Sequence, residues 1–384
     1  MPVPAAGRTP RTSPVLAAAL FLLLALAGCS GGSSPGRTGG PAASDSRAAS
    51  AAPAKGSAEV VRTVATRLNS PWGLAALPGG DLLAGSRDTG RIVRISAKDG
   101  GQTLLGTVPG VAAKGEGGLL GLAVSPRWSD DHTLYAYFTT DSDNRIARMQ
   151  VDERRPEGQR LGAPDTLVRD IPKGEIHNGG RIAFGPDGML YAGTGESGRG
   201  GLAQNLESLG GKILRMTPDG RPAPGNPGSS SLIYSYGHRN VQGLAWDAAG
   251  HLWASEFGQN TWDELNLIRP GANYGWPGAE GKAGKPGLTD PLEQWHPADA
   301  SPSGLACAKG SLWMAGLRGE RLWRIPLRGT ESSGPPEAFL QGKYGRLRTV
   351  VATDDGGLWL TTSNTDGRGR PGPEDDRLLL LKVT

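Results

Sequence analysis

The chain repeats one hydrophobic pattern six times. Each copy is a short apolar strand, a turn rich in Gly, Pro or Asp, and a second strand. The copies begin at Gly73, Gly121, Arg181, Gly243, Gly304 and Thr349. Apolar and polar residues alternate within the strands, which is the period of half-buried β-structure. Most copies continue into a further strand, such as RIVRIS or RLLLLKV. Short Gly-rich connections favour antiparallel hairpins, so each copy is predicted to form one antiparallel sheet.

The spacing of the copies predicts how these sheets are arranged. The copies recur at intervals of roughly 45 to 60 residues, which matches the length of a β-propeller blade. A β-sandwich would rarely need six similar modules, and the turns of a β-helix are too short for this period. We therefore predict an all-β fold, a six-bladed β-propeller of four-stranded antiparallel blades, over residues 58–384. In a propeller, loops from successive blades meet on one face around the central channel.

The start of the chain differs in composition from the repeats. Arg8 and Arg11 precede an apolar run, residues 15–27, which leads through Leu-Ala-Gly to Cys29. A basic start, a short apolar stretch and small residues at its end are typical of a secretory signal peptide, predicted here for residues 1–28. The cysteine also resembles that of the bacterial lipobox, which becomes the lipidated first residue of the mature protein. A plain signal peptide or an uncleaved anchor is the alternative.

Residues 29–57 consist mainly of Gly, Ser, Ala and Pro. Such a segment buries too little apolar surface to offset the entropy of ordering its backbone, so a flexible tether between membrane and domain is predicted. The protein is thus expected to be an exported cell-membrane lipoprotein that faces outside the cytoplasm. With Cys29 committed to lipid, Cys307 has no intramolecular partner, and no disulfide framework is expected.

Charge narrows the classes of partner. The formal net charge of +4 is small for 384 residues, the basic residues are scattered, and no zinc-finger, helix-turn-helix or RNA-binding pattern is present. Nucleic acid is therefore not an expected partner. The membrane is expected to be contacted only through the N-terminal lipid.

Candidate chemistry concentrates around the fourth copy of the repeat. Arg239 offers a planar fork of donors suited to a carboxylate or an oxyanion, and Asn240 and Gln242 can both donate and accept hydrogen bonds. The next loop contains Gly258, where the backbone can approach a ligand closely, and Asp263, a hard oxygen donor of the kind that calcium prefers. The cluster predicts a polar ligand plus a metal ion. The alternative is an ordinary hairpin with a solvated charged loop.

Six stretches of the chain fall in the same order as motifs of a known family. They are PWGLAALPGGDLL (71–83), GEGGLLGLAVSP (115–126), HNGGRIAFGPDGMLYAGTGE (177–196), GHRNVQGLAW (237–246), SEFGQNTWDELNLI (255–268) and NYGWP (273–277). They resemble the soluble quinoprotein sugar dehydrogenases, the glucose/sorbosone dehydrogenase family, over most of the chain from about Pro71 onwards. The resemblance implies a six-bladed propeller that oxidises sugars with pyrroloquinoline quinone (PQQ) and calcium.

The resemblance also implies catalytic roles. His177 would be the general base that takes a proton from a sugar hydroxyl, a task that suits an imidazole because it titrates near neutral pH. Arg239, Asn240 and Gln242 would surround PQQ. Arg239 would stabilise the charge that develops on the quinone oxygen as hydride arrives.

A calcium site is implied in the loop that follows. The backbone carbonyls of Gly258 and Gln259 would ligate the ion, and Asp263 would be the carboxylate support in the same loop. Calcium would polarise the quinone carbonyl as a Lewis acid.

Three further arginines occur late in the chain. Arg318 stands where members of the family usually carry Lys, and Arg346 and Arg348 form an Arg-x-Arg pair. PQQ has three carboxylates, which need fixed cations in a channel, and these side chains would supply them. The alternative for the pair is a solvated strand edge.

Differences from the family fall on the substrate side. Glu116 matches a position that is often Gln in glucose-oxidising relatives, and Ile176 stands where the glucose enzyme has Asp. The preferred sugar is therefore not assumed to be glucose. Glu196 is predicted to support His177 by accepting a hydrogen bond from its other ring nitrogen.

These observations favour one function over two others. The favoured function is a PQQ- and calcium-dependent aldose dehydrogenase that oxidises the C1 hydroxyl to a lactone and passes electrons to an external acceptor. The alternatives are a calcium-dependent, lactonase-like propeller hydrolase and a non-enzymatic binding propeller at the cell surface. The sequence leaves open the physiological sugar, the electron acceptor, the oligomeric state and the loading of PQQ in the native host.

Overall fold

The computed structural model describes residues 52–384. The predicted signal peptide and the predicted lipid attachment at Cys29 lie outside these residues. Within this range the helical segments are α1 (Trp128–Asp131) and a 3-10 turn (Gly200–Ala203), and the remaining regular structure is β-strand. None of the helical segments between residues 52 and 384 is long and apolar enough to cross a membrane.

The first half of the described chain forms one leading strand and three blades. The leading strand is β1 (Ala58–Ala65). Blade 1 contains β2 (Pro71–Ala76), β3 (Leu82–Ser86), β4 (Arg91–Ile95) and β5 (Gln102–Thr107). Blade 2 contains β6 (Leu119–Val124), β7 (Thr133–Thr139), β8 (Asn144–Gln150) and β9 (Asp165–Ile171). Blade 3 contains β10 (Ile182–Phe184), β11 (Leu190–Gly193), β12 (Lys212–Met216) and β13 (Ile233–Tyr236).

The second half forms three further blades. Blade 4 contains β14 (Val241–Trp246), β15 (Leu252–Glu256), β16 (Asp263–Ile268) and β17 (Glu293–Trp295). Blade 5 contains β18 (Pro302–Ala308), β19 (Ser311–Gly316), β20 (Arg321–Arg328), β21 (Glu331–Ser332) and β22 (Glu337–Phe339). Blade 6 contains β23 (Leu347–Ala352), β24 (Leu358–Thr362) and β25 (Leu378–Val383), together with β1.

The predicted six-bladed propeller is confirmed, with one departure in blade 5. Its outer edge consists of two short strands, β21 and β22, which both pair with β20. Pro335 and Pro336 stand between them. Proline has no backbone N–H to donate, so it interrupts the ladder and divides the fourth strand into two pieces.

The ring closes by joining the two ends of the described chain. β1 pairs antiparallel with β25, from Ala58 opposite Val383 to Ala65 opposite Leu378. The inner strands β2, β6, β10, β14, β18 and β23 lie next to one another in a closed circle. Blade 6 therefore combines strands from both ends of the domain.

The core is divided among the spaces between blades. Buried apolar side chains form six clusters within residues 52–384, and each cluster lies mainly between two neighbouring blades. The fully buried Trp253 lies between blades 4 and 5, and Trp313 lies between blades 5 and 6. Because each blade packs one face on the blade before it and the other on the blade after it, strands such as β6 and β7 are buried along almost their whole length, whereas the outer strand β1 alternates.

The glycine that opens many of the repeats is required near the axis. A Cβ on Gly121 would lie 2.1 Å from the carbonyl oxygen of Gly180, and one on Gly243 would lie 2.4 Å from that of Ser303. Neighbouring inner strands approach each other too closely there for any side chain.

The end of the predicted tether contacts the propeller. The predicted domain start at residue 58 coincides with the start of β1, but Ala52 N already donates to Leu327 O at 3.0 Å. Pro53 O accepts from Arg324 Nη2 at 2.6 Å, and Gly56 N donates to Glu337 Oε2 at 3.0 Å. Residues 52–57 are thus packed on blade 5.

Candidate active site

Loops from all six blades meet in a cavity of about 460 Å³ on one face of the propeller. These loops either enter the first strand of a blade or connect its second and third strands. In an antiparallel blade these two positions lie at the same end. Eleven predicted site residues line the cavity, namely Glu116, His177, Arg239, Asn240, Gln242, Gly258, Gln259, Asp263, Arg318, Arg346 and Arg348. Glu196 lies behind His177.

Two carboxylates hold His177. Its Nδ1 lies 2.6 Å from Oε1 of Glu196, a side chain that is buried in the β11–β12 loop. Its backbone N–H donates to Oε2 of Glu116 at 2.8 Å. Among residues 52–384, Nδ1 is the ring nitrogen that has a protein partner, and the imidazole itself lines the cavity. The arrangement leaves Nε2 as the nitrogen that can exchange a proton with a ligand.

The backbone at His177 is unusual. Its φ is 55°, in the left-handed region that residues other than Gly rarely adopt, and the φ of Gly179 is 62°. Asn240 Oδ1 accepts from Gly179 N at 2.9 Å and fixes this turn from the neighbouring blade. The Asn-Gly-Gly sequence after His177 thus allows a strained segment that aims the imidazole into the cavity.

Arg346 and Arg348 share one carboxylate. Asp366 Oδ2 accepts from Nη2 of Arg346 at 3.0 Å and from Nη2 of Arg348 at 3.2 Å. Nη1 of Arg348 also donates to Oε1 of Gln242 at 3.0 Å. Both guanidinium groups are buried, which rules out the solvated strand edge considered from the sequence.

Burial and the opposite charge nearby shift the pKa values of these groups in opposite directions. Burial lowers the pKa of Arg348 to about 10, although Asp366 opposes the shift. Burial would raise the pKa of Asp366, but the charges of Arg348 and Arg346 hold it below its ordinary value. The site therefore holds an ionised carboxylate between two cations.

Two more arginines stand at the rim. Arg318 is exposed on the β19–β20 loop and lines the cavity. Arg368, on the β24–β25 loop, donates from Nη1 to Oε1 of Glu116 at 2.8 Å. Glu116 thus joins the rim of blade 6 to the backbone of His177.

Arg239 reaches across to the β15–β16 loop. Its Nη1 donates to the carbonyl oxygens of Gly258 and, at 3.3 Å, of Phe257, and its guanidinium lies 5.2 Å from the ring centroid of Trp276. Nε is buried and has no hydrogen-bond partner among residues 52–384. Burial lowers the pKa of Arg239. Several carboxylates oppose this shift, and Glu196 opposes it most strongly.

Asp263 supports the same loop from below. Its Oδ1 accepts from Gly258 N at 2.9 Å, and its Oδ2 accepts from Ser301 N at 2.6 Å. Burial raises the pKa of Asp263 to about 6. In the part of the chain that the structure describes, no group of three His, Cys, Asp or Glu side chains is placed to hold a metal. A cation at this loop would therefore need backbone carbonyl oxygens.

Sequence reasoning missed several residues of the site. Those that line the cavity or hold it are Trp72, Arg87, Glu280, Asp366 and Arg368. Most belong to loops between second and third strands or to the start of an inner strand. Those positions follow from the repeat itself, so topology could have found them where motif comparison did not. Glu280 comes from a long connection outside the repeat and gives no such signal.

The chain is a six-bladed propeller with a polar cavity where the central channel opens, lined by six arginines and three carboxylates. Residues 68–380 match the family described as Glucose / Sorbosone dehydrogenase. The chain belongs to the glucose/sorbosone dehydrogenase family, which confirms the family and the enzyme class predicted from the sequence.

Individual relatives agree with that assignment. The PQQ-bound aldose sugar dehydrogenase of Streptomyces coelicolor is 68% identical, with a TM-score of 0.86 over 87% of this chain and 100% of that one. The aldose sugar dehydrogenase of Escherichia coli is 34% identical over 239 residues, 59% of this chain and 63% of that protein. Quinoprotein glucose dehydrogenase B of Acinetobacter calcoaceticus is 32% identical over 251 residues, 57% of this chain and 52% of that protein.

Asp366→Asn should destabilise the folded protein, because Arg346 and Arg348 would lose the negative charge between them. The folded-state pKa lies below the ordinary 3.8, so the ionised carboxylate stabilises the fold above about pH 4, and this stabilisation is lost as the pH falls through the folded pKa. We expect the variant to lose on the order of 3 kcal/mol of unfolding free energy at pH 7, because two buried cations lose their partner. Urea unfolding should show the gap from wild type narrowing at pH 3. An equal gap at both pH values would contradict the role assigned to Asp366.

Proposed function

We propose that the protein is a PQQ-dependent aldose sugar dehydrogenase. The observation that carries the proposal is a cavity lined by six arginines, three of them buried, in a chain 68% identical to a PQQ-bound aldose sugar dehydrogenase. A lactonase-like hydrolase would have no use for this concentration of cations. A purely binding propeller would not need the buried His177–Glu196 pair.

The residues of the cavity fit a tricarboxylate cofactor. Six arginines line it against three carboxylates, so the lining carries excess positive charge. Arg346 and Arg348 have donors fixed by Asp366 and Gln242, and the exposed Arg318 adds a cation at the rim. Charge-assisted bonds from arginine to carboxylate are among the stronger polar contacts available to a protein. Asn240 and Gln242 line the same wall and would complete the contacts to PQQ.

PQQ, when bound, supplies an acceptor for the hydride that leaves C1 of the sugar. The proton of the C1 hydroxyl would pass to Nε2 of His177. Glu196 accepts from Nδ1–H, so it selects the tautomer in which Nε2 is basic, and it stabilises the imidazolium that forms. Loss of both hydrogens converts the hemiacetal carbon to a lactone. Electrons would then leave to an external acceptor.

Arg239 and the β15–β16 loop would act on the quinone that accepts the hydride, and not on the sugar. The guanidinium is desolvated and has a free Nε among the described residues, so its interaction with a developing negative charge would be strong. The carbonyl oxygens of Gly258 and Gln259 are hard donors that suit calcium, and Asp263 would hold the loop in place. We therefore include calcium in the proposed holoenzyme.

The substrate side would differ from that of glucose-specific relatives. Ile176 is 41% exposed beside His177, and Glu116 is tied to Arg368. Ile176 and the Glu116–Arg368 ion pair would discriminate among aldoses by different contacts than the Asp and Gln that glucose-oxidising relatives carry at positions 176 and 116.

We also propose that the protein is exported and attached to the membrane by lipid on Cys29, on the strength of the Leu-Ala-Gly-Cys sequence after an apolar run. Cys29→Ser should then release the protein from washed membranes, because nothing else in the proposal holds it there. Immunoblotting of membrane and soluble fractions measures this. A variant that stays in the membrane fraction would show that the apolar run is an uncleaved anchor.

Reconstitution tests the proposed activity directly. Purified protein supplied with PQQ and calcium should oxidise at least some aldoses in a dye-coupled assay, and cofactor binding should be visible by absorbance or calorimetry at micromolar PQQ. Omitting PQQ is the control. Absence of quinone binding at that concentration would overturn the proposal and favour a binding propeller.

Two substitutions separate proton transfer from cofactor binding. His177→Ala should lower turnover by about two to four orders of magnitude, the range for a general base, and leave PQQ affinity nearly intact. Arg348→Ala should instead weaken PQQ binding by on the order of 2 to 5 kcal/mol, since a carboxylate loses its buried donor, and Arg346→Ala should do the same. Steady-state kinetics and PQQ titration measure both. Near-normal turnover in His177→Ala with bound PQQ would remove His177 as the base.

A further inference from the structure

Five successive backbone N–H groups in the β15–β16 loop point to carboxylates. Gly258 N donates to Asp263 Oδ1 at 2.9 Å. The next four all donate to one oxygen, Oε1 of Glu280, at 2.7, 3.0, 3.0 and 3.1 Å; they belong to Gln259, Asn260, Thr261 and Trp262. The Glu280 carboxylate therefore occupies a nest of amide dipoles.

Because a peptide unit is planar, the hydrogen bonds of this nest also fix the direction of the carbonyl groups in the loop. In a trans peptide, the N–H of one residue and the C=O of the residue before it point in opposite directions. The N–H of Gln259 is bonded to Glu280, so the carbonyl of Gly258 points away from that carboxylate. It accepts from Arg239 Nη1 in the cavity. The N–H of Asn260 is bonded to Glu280 as well, which orients the carbonyl of Gln259 in the same way.

Glu280 is itself fixed by its neighbours. The adjacent Gly281 N donates to Glu264 Oε1 at 2.6 Å, and Lys282 N donates to Gln294 Oε1 at 2.7 Å. Glycine at position 258 lets the carboxylate approach, because a Cβ there would lie 2.8 Å from Glu280 Oε1 and 1.7 Å from Trp262 O. The carboxylate and the loop can therefore meet only with this residue at the turn.

We propose that Glu280 is the positioning residue of the cation site, since it directs the carbonyl oxygens of Gly258 and Gln259 into the cavity as ligands for a hard divalent cation. The inference rests on the calcium of the proposed function. Glu280 contributes no ligand in this scheme. It sets the direction of the carbonyl dipoles and adds a negative charge behind them, and both effects favour a cation on the cavity side.

Two measurements test the proposal on wild type, Glu280→Ala and Glu280→Gln. Asp290→Ala is the matched control, because Asp290 also accepts backbone bonds, but from Ala283 and Gly284 and not from the β15–β16 loop. Hydrogen exchange followed by mass spectrometry reports on the peptide that contains residues 259–262. Calorimetric titration with calcium chloride, without and with PQQ, reports on the cation site without any turnover.

The two Glu280 variants have distinct expected results. Glu280→Ala should lose protection of the 259–262 amides and weaken calcium binding by about 10- to 100-fold, the usual cost of removing a group that orients metal ligands. Glu280→Gln should lie between, because its amide oxygen still accepts but carries no charge. Asp290→Ala should match wild type in both measurements.

Other outcomes overturn the inference. Calcium affinity equal to wild type in Glu280→Ala, or unchanged exchange at residues 259–262, would show that Glu280 does not aim the carbonyls. Wild type that binds no calcium even with PQQ would remove both the cation site and this inference. PQQ binding and aldose oxidation, measured separately, would then decide the fate of the proposed activity.

Discussion

Pairing of β1 with β25 is the constraint on which the arrangement of the molecule depends. Six sheets packed side by side form a ring only if the first and last meet, and here the two ends of the domain share one blade. Closure brings blade 6 against blade 1, so that Thr349 Oγ1 on β23 donates to Trp72 O on β2 at 2.6 Å. It also brings Asp366 and Arg368 to the loops of blades 1 and 2. Without closure, the loops of blade 6, which carry the arginine pair, would not face the loops of blades 1 and 2.

The cavity contains buried charged groups, Arg346, Arg348 and Asp366, that are stable there only because they contact one another. Arg348 lies under Trp72, beside Arg346, and its pKa is lowered by burial. One carboxylate, Asp366, serves both guanidinium groups, and an amide oxygen of Gln242 serves one of them. Such partial compensation is costly to the folded protein. An enzyme that must hold a polyanion gains from leaving cationic donors incompletely matched, because the ligand completes the set.

The sequence predicted those parts of the fold and site that are encoded locally. Period-two alternation and Gly-rich turns are properties of adjacent residues, so the blades could be read from the chain, and the motif containing His177 marks the loop that carries it. Partners that come from distant blades leave no local trace. Glu196 could be paired with His177 because both lie close together in the repeat, whereas Arg368 meets Glu116 of blade 2 only because the ring closes. The divided outer strand of blade 5 was missed because the two prolines change an edge, where the hydrophobic pattern is weak.

The contacts of Glu116 limit how the sugar specificity of the protein could be changed. In the proposed function Glu116 would lie on the substrate side, yet its Oε2 accepts from the backbone N–H of His177 and its Oε1 is bonded to Arg368. Under the proposed function, one residue would therefore affect both substrate preference and the placement of the histidine. Laboratory evolution toward a new sugar could not vary position 116 freely, because each replacement there would also shift the imidazole. The exposed side chain of Ile176 does not hold the backbone of His177, so residue 176 could be varied more freely than residue 116 to change specificity.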